Sequence, residues 1–191
     1  MIIDFSQFDT RERPVLILKN AGGTPICPLG YAHAITLDLK YNEVSSIEFE
    51  LPARVDGMDV PGYDDAVGMR VVELVGVGQF TLTSPEETDD GVKRSKLCKG
   101  YSLEFEFSYK KISLEKGTYN FYNPLAPKDT LLGMIMEKMP SWRVGDVSDG
   151  LINKYRTFEV NNENLYNFMK STVQESYNCI FDFDTMTRTV S

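Results

Sequence analysis

Histidine is nearly absent from this chain of 191 residues: His33 is the only one. A lone imidazole cannot build a multi-histidine metal site. Cysteine is scarce too, and Cys27, Cys98 and Cys179 lie too far apart for a zinc site or a CxxC redox pair. Three buried thiols in a reducing compartment are the reading this favours. Long apolar runs are missing: Val71 to Leu82 is broken by Glu73, Gly76, Gly78 and Gln79, well short of the ~18 apolar residues of a spanning helix. The start, Met1 to Ser6, lacks the basic and apolar stretches of a secretory signal. Positive charge is also in deficit, with 20 Lys and Arg against 28 Asp and Glu and a net charge of −8. That balance disfavours nucleic acids and anionic membranes, which are bound through basic residues. The two basic clusters, Lys93 to Lys99 and Lys110-Lys111, read as solvated hairpin or strand ends. No phosphate-cradling glycine loop, nucleophile elbow or HExxH occurs, and Gly76-Val77-Gly78 is a bare GxG without a following helix.

What is present is ordinary globular composition, 42% hydrophobic and 25% charged, too apolar for a disordered chain. The length fits one domain or two small ones. Ile35, Leu37, Leu39 and Tyr41 alternate with polar residues, as do Ile47, Phe49 and Leu51, and Asn42 to Ser46 supplies a turn between them. This period of two predicts a hairpin of half-buried strands. Further strands are expected at Val71 to Leu74, at Gln79 to Thr83 and most clearly at Tyr101 to Tyr109, with a turn over Ser84 to Gly91. Ten of the 14 glycines and six of the nine prolines fall in residues 1–112, which suits many short strands closed into an antiparallel β-barrel.

Beyond Ser113 the period changes. Asp129 is expected to cap a helix with Leu131, Leu132, Ile135, Met136 and Met139 on one face, stopped by Pro140. A second helix is expected from Asn162, burying Leu165, Phe168, Met169, Thr172 and Val173. Arg156 to Val160 and Asn178 to Phe183 read as strands, with a turn from Asp184 into Arg188-Thr189-Val190. The expected fold is therefore α+β and mainly β: a barrel domain over 1–112, then a smaller α+β domain over 113–191.

Candidate chemistry is thin. Cys27 precedes His33 by six residues, which invites a thiol–imidazole dyad. Nothing beside Cys27 in sequence would lower its pKa, however, and no third orienting group is evident. Glu86, Glu87, Asp89 and Asp90 lack the spacing of a calcium loop. Asp182 and Asp184 would share one strand face, whereas glycosidase carboxylates face each other from separate elements. Cys98 and Cys179 read as packing residues. No catalytic, cofactor-binding or metal-ligating residue is assigned, no cofactor is implied, and no enzyme activity is expected.

Several segments, in order, do carry a resemblance: Lys96 to Phe107, Lys111 to Phe121, Thr130 to Ile135, Pro140 to Gly145, Arg156 to Phe158, Asn164 to Phe168, and Cys179 to Thr185. Together they resemble the N-terminal region of siphophage minor structural tail proteins, a group that includes the tail-associated lysin or prophage endopeptidase tail family. The resemblance spans nearly the whole chain. It implies a β-barrel continuing into α+β insertions, and a homotrimeric baseplate hub at the virion tail tip, assembled in the host bacterial cytoplasm. It also implies a distal tail protein ring and a tape measure protein as neighbours, with host-attachment or lytic activity in C-terminal extensions. Arg188 to Ser191 reads as an interrupted strand, so a fragment of a longer protein is expected. Two alternatives stand beside the hub: a cell-wall-degrading endopeptidase, and a carbohydrate-binding module using Tyr31, Tyr41, Tyr63 and Trp142 as stacking platforms.

Overall fold

Alternating apolar residues in the first hundred positions build one large antiparallel sheet. The computed structural model describes residues 1–5 and 14–191, which divide into two compact units, Met1–Leu103 and Glu104–Ser191. The first unit carries β1 (Ile2–Asp4), β2 (Leu16–Lys19), β3 (Pro25–Pro28), β4 (His33–Asp38), β5 (Ser46–Pro52), a small hairpin of β6 (Arg54–Val55) and β7 (Met58–Asp59), then β8 (Val71–Leu74), β9 (Gly78–Leu82), β10 (Glu86–Asp89) and β11 (Arg94–Ser102). In the main sheet the order is β1-β4-β5-β11-β9-β8-β2-β3, with β10 added to β11.

The predicted pairing of β4 with β5 is present, with Leu37 opposite Ile47 and Asp38 opposite Ser46. Ile47, Phe49 and Leu51 are fully buried while Glu48 and Glu50 face away from the core. Each such side chain contributes about 1.5–3 kcal/mol by leaving water. Strand β4 stops at Asp38, so Tyr41 falls in the turn and is 84% exposed. The turn expected over Ser84 to Gly91 is partly strand, because Glu86–Asp89 pairs with β11 and the chain reverses at Asp90-Gly91.

The expected closed barrel is not formed among the described residues. The sheet ends on β1 and β3 rather than joining them. A physical reason lies in the edges: β3 begins and ends on prolines, Pro25 and Pro28, which lack the N–H a further strand would need. The other edge, β1, is only three residues long. Loop residues Leu29, Ala32, Val60, Tyr63 and Ala66 complete the core that closure would otherwise have sealed.

The strand expected over Tyr101 to Tyr109 ends at Ser102, and Leu103–Tyr109 is a 3₁₀ helix. Alternation at every second residue also places apolar residues four apart, so it satisfies a helical turn as well as a strand. Burial follows the helical option, falling on Leu103, Glu104 and Phe107, and the rings of Phe105 and Tyr109 meet edge-on at 5.5 Å. The two compact units therefore divide at Leu103, ahead of the period change read near residue 113.

In the second unit a ribbon of β12 (Lys111–Asn120) and β14 (Tyr155–Asn164) dominates; β12 alternates only from Lys111 to Glu115 and was not anticipated. Short β13 (Arg143–Val144), β15 (Phe183–Asp184) and β16 (Thr189–Val190) form a second sheet in the order β13-β16-β15. Helix α1 (Leu131–Lys138) buries Leu131, Leu132 and Ile135 as expected, but its cap is Thr130, whose hydroxyl accepts from the Gly133 N–H at 3.1 Å. Helical structure then runs from α2 (Leu165–Asn167) through a π-helical stretch, Phe168–Val173, to α3 (Gln174–Tyr177). Its cap is Asn164 rather than Asn162, with the side chain accepting from the Asn167 N–H at 3.0 Å. Asn178 ends it in a left-handed conformation, so the strand expected from there is reduced to Phe183–Asp184. Rings fill this core: Phe121 and Tyr177 lie 4.9 Å apart, Phe158 and Phe168 5.8 Å, and Phe107 and Trp142 5.2 Å.

Candidate functional site

Three short turns of the N-terminal unit surround a cleft of about 940 Å³. Tyr31 and His33 line it from the start of β4 and the loop before it, Arg54 and Asp59 from the β6–β7 hairpin, and Asp89 with Gly91 to Ser95 from the β10–β11 turn. Local sequence chemistry explains each turn. In the β6–β7 hairpin Asp56 and Gly57 both adopt positive φ, at 52° and 79°, the conformation an Asp-Gly hairpin turn requires. At the other turn the Asp90 carboxylate accepts the N–H groups of Lys93 at 2.6 Å and Val92 at 2.8 Å, and Asp89 accepts that of Gly91 at 2.9 Å. Those backbone donors hold the Asp90 carboxyl below its usual range.

The floor is set by Tyr63, which lines the cleft, and by the tight packing of Gly62 beside it in the chain. Gly62 has a φ of +83°, and a Cβ there would stand 2.6 Å from Cys27 Sγ and 2.8 Å from Leu29 Cδ2. Only glycine satisfies both the backbone and the space. Tyr63 is buried, and its hydroxyl donates to Glu87 Oε1 at 3.0 Å. Burial and that hydrogen bond push its pKa up to about 12. The Arg94 guanidinium also binds Glu87, so Arg94 first and the Tyr63 hydroxyl second hold the Glu87 carboxyl below its ordinary value. Beneath them Lys96 is buried, with its ammonium 4.5 Å from the Tyr63 ring centroid and donating to the carbonyls of Tyr63 at 2.7 Å and Ala66 at 3.2 Å. Carbonyls and a ring face replace the water this cation gave up.

The residues singled out in the sequence fare differently. His33 approaches Glu50, with Nδ1 to Oε2 at 3.8 Å, and no hydrogen bond joins it to Cys27 among the described residues. The Cys27 thiol packs beside Gly62 and is pushed up by burial and by Asp65, the reverse of an activated nucleophile. Burial likewise raises Cys98, to about 11, and Cys179. Glu87, Asp89 and Asp90 are committed to the floor and the turn, and among the described residues no group of three His, Cys, Asp or Glu side chains is placed to hold a metal ion. Asp184 holds its own turn, accepting from the Thr187 hydroxyl at 2.7 Å and from the Met186 N–H at 2.9 Å. Of the four proposed stacking residues Tyr63 and Trp142 are buried and Tyr41 does not line the cleft, which leaves Tyr31. Arg54 and Asp59 were not singled out, and Lys96, expected in a solvated hairpin end, is instead buried. The Asp56-Gly57 dipeptide signals the hairpin that presents the first two, whereas nothing in the alternation of β11 marks Lys96 as an inward-facing residue.

No protein-family model matches the sequence, and no curated protein sequence matches it. The fold does match solved structures. Prophage tail protein gp18 from Listeria monocytogenes EGD-e superposes with a TM-score of 0.59 at 14% identity, over 92% of this chain and 49% of that one. A tail protein from Neisseria meningitidis MC58 gives 0.59 at 11% identity, over 93% and 49%. The 43 kDa tail protein of prophage MuSo2 from Shewanella oneidensis gives 0.59 at 14% identity, over 93% and 54%. This chain thus shares its fold with phage tail proteins and spans about half the length of each. Among the described residues no helix is long and apolar enough to cross a membrane.

Proposed function

We propose that this chain is a structural component of a phage or prophage tail. In its finer form the proposal is a homotrimeric baseplate hub at the tail tip, which closes the tail tube against the distal tail protein ring and the tape measure protein. In the full-length protein the hub would carry C-terminal host-attachment or lytic domains. The observation that carries the reading is the shared fold over nine-tenths of the chain with tail proteins from three different bacteria. The ordered segments from Lys96 to Thr185 support it independently, as does the half-length coverage of those structures. A structural role also suits the engagement of Asp89 and Asp184 in turns and of Cys27 in packing. A ring of three needs heterologous contacts between one patch and a different one on the next copy. Mass determination in solution across a range of concentrations tests this: three times the 21.7 kDa of one chain is expected. A monomer at every concentration would contradict self-assembly through this region.

A further inference from the structure

We propose that the cleft of the N-terminal unit is a binding site for a neutral, hydroxyl-rich ligand, that is, a short saccharide. The inference starts from charge. The lining carries both signs, Arg54, Lys93 and Arg94 against Glu50, Asp59, Asp64 and Asp89, and two of the cations are already paired: Arg54 donates through Nε to Asp59 at 2.7 Å, and Arg94 is bound to Glu87. An anionic ligand would meet Glu50, Asp59, Asp64 and Asp89, and a cationic one would meet Arg54, Lys93 and Arg94, so neither sign is strongly favoured.

Directional capacity nevertheless remains. The Arg54–Asp59 pair is mostly exposed, at 71% and 83% of side-chain area. The terminal nitrogens of Arg54, the second oxygen of Asp59 and the carboxylate of Asp64 make no hydrogen bond among the described residues. Fixed planar donors and acceptors standing side by side suit groups that both donate and accept, which describes a sugar hydroxyl. An apolar surface completes the set, because Tyr31 lines the same cleft and is 44% exposed. An aromatic ring of that kind offers the C–H face of a pyranose a flat partner while its hydroxyl stays wet.

The floor beneath is rigid rather than adaptable. Tyr63, Glu87, Arg94 and Lys96 tie it together, and Gly62 leaves no slack against Cys27 and Leu29. Peptide capture fits less well, since the cleft is lined mainly by turns and polar side chains rather than by deep apolar pockets. The inference does not rest on the tail-assembly reading, because it is tested by ligand binding to the purified chain whatever its oligomeric state.

The experiment is a titration by ligand-observed NMR with chitotriose and maltotriose, with sialyllactose as the anionic counterpart, to about 10 mM. At least one neutral trisaccharide is expected to bind. Tyr31→Ala should weaken it about tenfold, Asp59→Asn should weaken it by a smaller factor, and Tyr41→Ala should leave it unchanged. All three positions are exposed, and unaltered circular dichroism spectra would verify the fold of each variant. Failure of both neutral trisaccharides to bind, equal affinity in Tyr31→Ala, or a preference for sialyllactose would each overturn the proposal.

Discussion

Replacing Gly62 by alanine probes whether the floor of the cleft is packed as tightly as described. Two costs apply. The φ of +83° puts an L side chain in the left-handed region, which costs about 1–2 kcal/mol. The new Cβ would also meet Cys27 Sγ at 2.6 Å and Leu29 Cδ2 at 2.8 Å, and overpacking of that kind costs about 1–3 kcal/mol. Together they predict a loss of about 2–5 kcal/mol. Gly57 supplies the control, with a φ of +79° and no atom within 4 Å of its would-be Cβ. Gly57→Ala should show the backbone cost alone, about 1–2 kcal/mol. Urea unfolding followed by circular dichroism measures both. Truncating Cys27 to alanine removes the nearer clash, so Cys27→Ala should cost less in the Gly62→Ala background than in the parent, with a coupling of about 0.5–3 kcal/mol. If Gly62→Ala is no worse than Gly57→Ala, the packing argument is wrong and the floor can yield.

Other expectations concern the remaining anchors. Thr130→Ala should cost about 0.5–2 kcal/mol in urea unfolding, because the hydroxyl both caps Gly133 and donates to the Pro127 carbonyl at 2.5 Å. Glu106→Ala should cost about 1–3 kcal/mol and shift the Trp142 emission, since Glu106 accepts from the Trp142 indole at 3.3 Å and pairs with Arg188 at 2.9 Å. Tyr63 and Tyr177 are both pushed up to about 12, mainly by burial. A phenol whose folded value lies above its unfolded value, about 10, stabilises fully below pH 10 and loses that contribution as pH rises towards 12. Ultraviolet titration should therefore show these two ionising late, and their replacement by phenylalanine should remove that part of the alkaline stability loss.

The elements most legible in the sequence are those where one physical signal dominated. The alternation of Ile47, Phe49 and Leu51 led directly to β5, and the spacing of Leu131, Leu132 and Ile135 to the buried face of α1. Leu103–Tyr109 misled because alternation satisfies two geometries, and tertiary burial chose the helical one. Helix caps slipped by one or two residues, from Asp129, which lies in the preceding turn Pro127–Asp129, to Thr130, and from Asn162, which is still in β14, to Asn164. Barrel closure was not legible at all, because it depends on edge pairing between strands distant in sequence. In the cleft, Tyr31 and His33 could be singled out one at a time, but their proximity to Arg54 and Asp59 is a product of sheet topology.

The central claim is a structural place in a phage tail, and it is tested most directly by finding the protein in the particle. Antibodies raised against this chain, used with gold labelling and electron microscopy on particles released from cells that carry its gene, should mark one end of the tail. Particles with intact tails and no label at either end, with the protein recovered only outside them, would contradict the account.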